Sequence, residues 1–160
     1  MTLQNRVTPF STIEADPARG LFMGNRGCRY TELFFLDEAT ALAAGHRPCG
    51  ECRKQAYESF LKLFPGRKAD AVKLDNTLAS ERGRPWPATF AELPDGAMYE
   101  QDGAALLKWQ DRAWRWSHAG YSPAEIPVGS IEVLTPEGTV DAIRAGYRPV
   151  VHPSARLATR

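Results

Sequence analysis

Two of the three cysteines in this chain lie three residues apart, within a single short run at residues 45–53. A tight turn with a glycine at its second position, here Gly50, lets the sulfurs of Cys49 and Cys52 converge on one ion at tetrahedral geometry. The third cysteine, Cys28, lies upstream. The spacing therefore indicates half of a small zinc site, which Cys28 and one further group would have to complete.

The fourth ligand is less clearly marked, since the chain has only three histidines: His46, His118 and His152. His46 lies next to the cysteine pair, whereas His118 and His152 would have to fold back from the C-terminal half. Each histidine also fits an ordinary place in the core or on the surface, with no role in metal binding. A water or a substrate atom at the fourth position would make the site open rather than structural. These alternatives stay open at this point.

Length and composition favour a soluble globular protein. The 160 residues can bury one core or two small ones, and they are 43% hydrophobic and 24% charged. A net charge of +1 points to no class of partner. The apolar stretches are too short to span a membrane, no secretory signal opens the chain, and an odd number of cysteines fits a reducing compartment. We therefore expect a cytoplasmic protein without membrane contact.

The hydrophobic pattern predicts an α+β fold whose first segment is residues 1–66. A strand is expected over Tyr30–Leu36. A short helix follows, because Asp37 can accept from unpaired backbone donors and Gly45 is suited to end the helix. After the Cys-x-x-Cys turn, apolar residues recur every three or four positions up to a Pro-Gly pair at residues 65–66, as in a core-facing helix.

The rest of the chain is predicted to be richer in strands. Residues 67–94 are interpreted as a connecting segment, since the pattern loosens and a Pro-rich run interrupts it. From residue 95 to 160, short apolar runs separated by turn residues have the spacing of an antiparallel β-meander. A further strand at Ile131–Leu134 and a last helix over Glu137–Ala145 complete the fold. The sequence leaves open whether this portion packs with the first as one unit.

A weak internal repeat bears on the role of His46. Residues 41–48 align with residues 142–149, and in both copies a short helix ends at glycine before an Arg-Pro step. The second copy lacks both cysteines, so any metal chemistry belongs to the first. His46 aligns with Tyr147, which favours a ring packed against the helix over a metal ligand.

The pattern Ala-Gly-x-Arg-Pro-Cys-x-x-Cys at residues 44–52 is specific enough to compare with known families. From Phe22 to Phe60 the chain resembles the Ada-type metal-binding domain, known from a DNA-repair protein that removes methyl groups from phosphotriesters. The resemblance implies four zinc ligands, of which Cys28, Cys49 and Cys52 match by position. The whole chain resembles a group of bacterial proteins that add a small β-rich portion to this segment.

The resemblance has two departures. Gly24 stands four residues before Cys28, where the repair domain has its reactive cysteine, and the stretch from Cys28 to Cys49 is shorter than in that family. Glycine can neither bind zinc nor accept a methyl group, so methyl-phosphotriester acceptor activity is not expected. We expect a non-catalytic zinc-binding module.

Arginines near the cysteines are candidates for phosphate contacts, and a tyrosine there is suited to stack on a base. The predicted nucleic-acid-binding residues are Arg26, Arg29, Arg53 and Tyr30. The alternative is a solvated arginine face in which Arg47 bonds helix carbonyls. The leading hypothesis is therefore a zinc-binding module that contacts nucleic acid, DNA included, or a protein.

Two other functions stay open from the sequence. One is an enzyme with an open metal position or a cysteine nucleophile, which a groove lined by Glu51, His46 or His118 would favour. The other is a metal-free interaction domain that retains only the Ada-like scaffold. Redox use of the Cys-Gly-Glu-Cys turn is disfavoured, because the βαβ pattern of dithiol oxidoreductases is not evident.

Overall fold

This computed structural model of the chain describes residues 6–9, 32–66 and 70–156. The strands are β1 (Arg6–Pro9), β2 (Glu32–Phe35), β3 (Trp86–Thr89), β4 (Met98–Gln101), β5 (Ala104–Trp109), β6 (Arg112–Ser117), β7 (Gly120–Ala124) and β8 (Ser130–Val133). The helices are α1 (Glu38–Ala43), α2 (Lys54–Leu63), α3 (Ala71–Glu81) and α4 (Glu137–Arg144), and a 3-10 turn spans Phe90–Glu92. The predicted α+β fold, with a β-meander and a C-terminal helix, is confirmed.

The strands form two sheets. β1 and β2 pair in parallel, and a six-stranded antiparallel sheet has the order β3-β8-β4-β5-β6-β7. β4 to β7 are the predicted meander, and Asp102, Gln110 and Asp111 take positive φ in its tight turns. Each edge strand carries a proline, Pro87 in β3 and Pro123 in β7, which limits pairing with a further strand.

The large sheet is packed on both faces, because its strands alternate apolar side chains between two cores. One core includes Tyr99, Leu106, Ala113, Ile131 and Val133 of the sheet with Phe90 and Val140. The other includes Met98, Leu107, Trp114 and Tyr121 of the sheet with Ala39 and Ala155. Helix α4 therefore covers part of one face. Helix α1 and the residues after α4, 145–156, which we call the C-terminal segment, cover part of the other.

A third core, the helical core, joins residues from all four helices. Its buried members are Leu42, Phe60, Phe64, Leu74, Leu78, Ala142, Ile143 and Tyr147. Helix α3 and strand β3 both lie within residues 67–94, so the stretch interpreted as a connection contributes to the helical core and to the sheet. The hydrophobic pattern of this stretch is weak because the buried residues of α3 are two leucines, Leu74 and Leu78, which give little periodic signal.

The internal repeat corresponds to one helix ending used twice. The backbone N–H of Gly45 bonds three residues back at 2.9 Å and that of His46 five residues back at 3.0 Å, while Gly146 and Tyr147 repeat both bonds at 3.0 Å. This is the Schellman motif, which requires positive φ at its glycine, and the two glycines have φ of 76° and 119°. The Arg-Pro step then leads each chain segment away from its helix.

Asp37 caps α1 as predicted. Its Oδ1 accepts the N–H of Thr40 at 2.9 Å, and the Thr40 hydroxyl oxygen accepts the N–H of Asp37 at 3.2 Å, so the two residues form a capping box. In the described ranges, the helices are all too short or too polar to cross a bilayer.

Candidate metal centre

The Cys-x-x-Cys turn connects α1 to α2. Cys49 is a buried free thiol with 2% of its surface exposed, whereas Cys52 is exposed. The N–H of Arg53 bonds to the carbonyl of Cys49 at 2.9 Å, and the N–H of Cys52 is directed at the Cys49 sulfur, 3.4 Å away. Hydrogen bonds of this kind orient and tune a thiolate ligand in a metal site.

The turn also lies at the positive end of a helix. α2 begins at Lys54, two residues after Cys52, and no side chain caps its first turn. The first N–H groups of a helix favour negative charge nearby. The cysteine turn therefore lies next to the positive end of α2.

A buried carboxylate ties the turn to the second copy of the repeat. Glu38, 3% exposed, accepts from Arg53 Nη1 at 2.5 Å and from the hydroxyl of Tyr147 through Oε1, and from the N–H of Val150 at 2.8 Å through Oε2. Burial, followed by the charge and hydrogen bond of Glu38, raises the pKa of Tyr147 far above its usual range. Glu38 therefore holds the start of α2 and the C-terminal segment against α1.

Arg53, predicted to contact phosphate, is thus committed to an intramolecular ion pair. Its side chain is only 16% exposed. Arg47, expected to bond helix carbonyls, instead forms an ion pair with Asp75 of α3. The helix-carbonyl contact at the end of α1 comes from Arg82, whose Nη2 donates to the carbonyl of Gly45 at 2.8 Å.

His46 is buried at the end of α1. Its ring centroid lies 5.3 Å from that of Phe35. The position matches the packing role that the alignment with Tyr147 predicts, since Tyr147 packs in the helical core. His46 nevertheless stays close in sequence to Cys49, so its ring is a candidate ligand as well as a core residue.

The other two histidines lie in local contacts elsewhere in the fold. His118, in the β6–β7 turn, is exposed, and its ring stands edge-on to Trp116 with centroids 4.8 Å apart. His152, in the C-terminal segment, is half-buried, and its Nδ1 lies 2.8 Å from the hydroxyl oxygen of Ser154. Both contacts are to residues close by in sequence, two positions from each histidine.

Four predicted site residues lie outside the described residues, as does Gly24: they are Arg26, Cys28, Arg29 and Tyr30. Within the described ranges, no group of three or more His, Cys, Asp or Glu side chains is arranged to hold a metal ion. Of the predicted sulfur ligands, the described residues include Cys49 and Cys52, which are both free thiols. Cys28 stays a prediction.

A small cavity lies beside the turn. Its lining residues are Glu38, Ala41, Leu42, His46, Arg47, Pro48 and Arg53. Its volume is about 10 Å³, close to the space that one water needs. Of the three residues named for a catalytic groove, His46 lines this cavity, but an organic substrate does not fit into it.

Sequence reasoning found the cysteines and missed the groups that hold them. An acidic residue in the first turn of a helix is so common that Glu38 carries no signal of burial. Its partner Val150 lies 112 residues away.

Comparison of the chain with protein-family models, curated proteins and solved structures finds no match. Function is therefore inferred from the turn and its surroundings.

Proposed function

We propose that this protein is a non-catalytic zinc-binding module in which Cys49 and Cys52 supply two of the four ligands. The observation that carries the proposal is the turn itself, in which the N–H of Cys52 is directed at the sulfur of a buried Cys49 thiol. The resemblance to Ada-type domains supports Cys28 as the third ligand. His46 is the first candidate for the fourth, followed by His118 and His152.

Zinc is the metal that this donor set favours. Thiolate sulfurs are soft ligands, and a tetrahedral site with three cysteines and one nitrogen is typical of structural zinc. Bound zinc would connect the segment before β2 to the turn between α1 and α2. The zinc would stabilise the fold and take no part in a reaction. Metal binding is coupled to folding where the ligands come from distant stretches of the chain.

Among the described residues, the small cavity beside the turn favours the non-catalytic form of the proposal. The cavity beside it, at about 10 Å³, accommodates roughly one water. An enzyme needs a larger pocket to bind and orient an organic substrate. Gly24 stands where the repair domain has its reactive cysteine, so methyl transfer is not expected either.

Nucleic acid is the partner that we propose for the module, through Arg26, Arg29 and Tyr30. Arg53 no longer belongs to the proposed interface, because its guanidinium pairs with Glu38. Binding to single- and double-stranded DNA at two salt concentrations tests this step, since phosphate contacts weaken steeply with salt. Salt-dependent binding that is lost when Arg26 and Arg29 are both changed to alanine supports it. Equal binding by that variant favours a protein partner instead.

The zinc site is tested by metal content. The full chain, purified without added metal, is expected to contain one zinc, and Cys49→Ser or Cys52→Ser should lower the content to a small fraction. Val150→Ser is a matched control, because Val150 occupies the position of Cys49 in the second copy of the repeat. Zinc in both cysteine variants at the level of the control would contradict the proposal.

A further inference from the structure

Arg47, the residue two positions before Cys49, is held by groups from two other helices. Its Nε and Nη2 donate to the two carboxylate oxygens of Asp75 at 2.5 and 2.9 Å. Its guanidinium carbon lies 4.8 Å from the centre of the Tyr57 ring. We call these three residues, Arg47, Tyr57 and Asp75, the arginine clamp. A two-pronged ion pair on an aromatic face fixes an arginine far better than a single exposed contact does.

The clamp reaches the cysteine turn from both sides of Cys49. On one side, Arg47 Nη1 donates to the carbonyl of Pro48 at 3.3 Å. On the other side, the Tyr57 ring lies against Gly50, where an added Cβ would meet a ring carbon at 3.3 Å. The clamp therefore contacts the residues immediately before and after the buried thiol.

The second copy of the repeat shows that the clamp is not a requirement of the helix ending. Arg148 is the counterpart of Arg47 there, and its Nη1 bonds to the carbonyls of Ile143 and Tyr147 at 3.5 and 3.3 Å. The Schellman motif is the same in both copies. In the first copy, which carries the cysteines, the arginine instead pairs with both carboxylate oxygens of Asp75 and lies over the Tyr57 ring.

We infer that the arginine clamp sets the metal affinity of the turn by holding its backbone in the binding conformation before the metal arrives. This inference depends on the proposed zinc site. A ligand pair that is already ordered loses less conformational entropy on binding, and residues that orient metal ligands typically change affinity by about 10- to 100-fold. Asp75 and Tyr57 are thus positioning residues that act through Arg47 and Gly50.

The test compares Arg47→Lys and Asp75→Asn with two matched controls. Lysine keeps the charge of Arg47 but loses the fork, and asparagine keeps the shape of Asp75 but loses its charge. Arg148→Lys makes the same change in the second copy. Asp70→Asn alters the cap of α3, where Asp70 accepts the N–H of Lys73 at 2.8 Å, without touching the clamp.

Two measurements are made on each full-length variant. The zinc dissociation constant, from competition with a chromophoric chelator, is expected to rise about tenfold or more in the clamp variants and to stay within twofold in the controls. In metal-free protein, the buried Cys49 thiol should react several times faster with a disulfide reagent in the clamp variants. Melting of the metal-free proteins reports folding, and Asp75→Asn carries the test if Arg47→Lys does not fold.

The outcomes separate this inference from the proposed function. If the wild-type chain binds zinc and both clamp variants bind it with unchanged affinity and unchanged Cys49 reactivity, the clamp inference is wrong while the zinc site stands. If the wild-type chain binds no zinc, both are wrong. Weaker binding together with faster Cys49 labelling in the clamp variants alone supports the inference.

Discussion

Among single residues, Glu38 carries a buried carboxylate with three donors from other parts of the chain. Its carboxylate is 3% exposed and is shared by the guanidinium of Arg53, the hydroxyl of Tyr147 and the N–H of Val150. A buried charge of this kind is tolerated only when its partners satisfy it, and removing one member leaves the others unpaired. Glu38 therefore contributes to stability chiefly by satisfying groups that are themselves buried.

Changing Glu38 to glutamine should lower the free energy of unfolding by about 3 kcal/mol, because the largely buried guanidinium of Arg53 loses its counter-charge. Urea denaturation of the full chain measures the change. Glu58→Gln is the control, since Glu58 is exposed and lies 3.9 Å from Lys54, so its loss should cost less than about 0.5 kcal/mol. Equal losses in the two variants would contradict the role of Glu38.

Two buried tyrosines are expected to respond with opposite signs when the hydroxyl is removed. Tyr99 is fully buried, its hydroxyl has no hydrogen-bond partner in the described part of the chain, and burial raises its pKa to about 12. Tyr99→Phe should stabilise the fold by about 1 kcal/mol, whereas Tyr147→Phe should destabilise it by about 2 kcal/mol, because Tyr147 donates to Glu38. Thermal melting of both variants measures these changes. Melting temperatures that shift in the same direction in the two variants would contradict these environments.

Among the helices, α3 supports the start of α4 through Glu81. Its Oε2 accepts the N–H of Gly138 at 3.1 Å. Burial raises the pKa of Glu81 above its ordinary value of 4.5; the Gly138 hydrogen bond opposes the shift, and the charges of Glu137 and Asp141 add to it. The carboxylate therefore replaces a missing helix cap while being partly removed from water.

The raised pKa of Glu81 predicts a pH dependence with a definite sign. Just above pH 4.5 the folded chain holds a proton that the unfolded chain has lost, so the contribution of Glu81 to stability falls as pH rises through its folded pKa and is constant above it. Glu81→Gln keeps an oxygen acceptor and removes the titration. The unfolding free energy of the wild type minus that of the variant, measured from pH 4 to 8, should decrease. An increase would be incompatible with the burial of this carboxylate.

Local signals explain which elements the sequence predicts. Asp37 and Gly45 define α1 through a cap and a positive φ, and both are readable one residue at a time. Helix α3 shows only Leu74 and Leu78 as buried residues. Strand β3 is ordered by pairing with β8, where Trp86 faces Val133 in the register. Neither spacing nor periodicity encodes such a distant partner, so the sequence pattern of residues 67–94 predicts only a connecting segment.

The same limit applies to the candidate site. Spacing alone identifies Cys49 and Cys52 as a pair. The clamp joins Arg47 to Asp75, which is 28 residues away, and the Glu38 carboxylate receives Arg53 from 15 residues away. The sequence therefore predicts solvent, phosphate or helix carbonyls as the partners of both arginines, whereas in the structure both pair with carboxylates.

Taken as one body, the chain brings its C-terminal segment back onto the start of α1. The N–H of Glu38 bonds to the carbonyl of Val150 at 3.1 Å, and the N–H of His152 bonds to Asp37 at 2.9 Å. The cysteine turn thus follows a helix whose first turn is fixed by residues more than 110 positions later. A metal bound at the turn would stabilise the folded chain as a whole.

Removal of the metal should therefore lower the stability of the entire fold. A ligand present at about a thousand times its dissociation constant stabilises the folded state by about 4 kcal/mol, which corresponds to roughly 10 °C in melting temperature for a chain of this size. Melting with and without a strong chelator measures the difference. A variant with Cys49 and Cys52 both changed to serine should melt at the same temperature in both conditions. A wild-type melting curve unaffected by the chelator would oppose a structural zinc.

X-ray absorption at the zinc edge of the protein as purified examines the proposed ligands themselves. Three sulfur atoms at about 2.3 Å and one nitrogen or oxygen at about 2.0 Å are expected for the site formed by Cys28, Cys49 and Cys52. Cys28→Ser should reduce the sulfur count by one and leave the Cys49 and Cys52 distances unchanged. A zinc surrounded only by nitrogen and oxygen, or no bound zinc, would contradict a metal centre built on this turn.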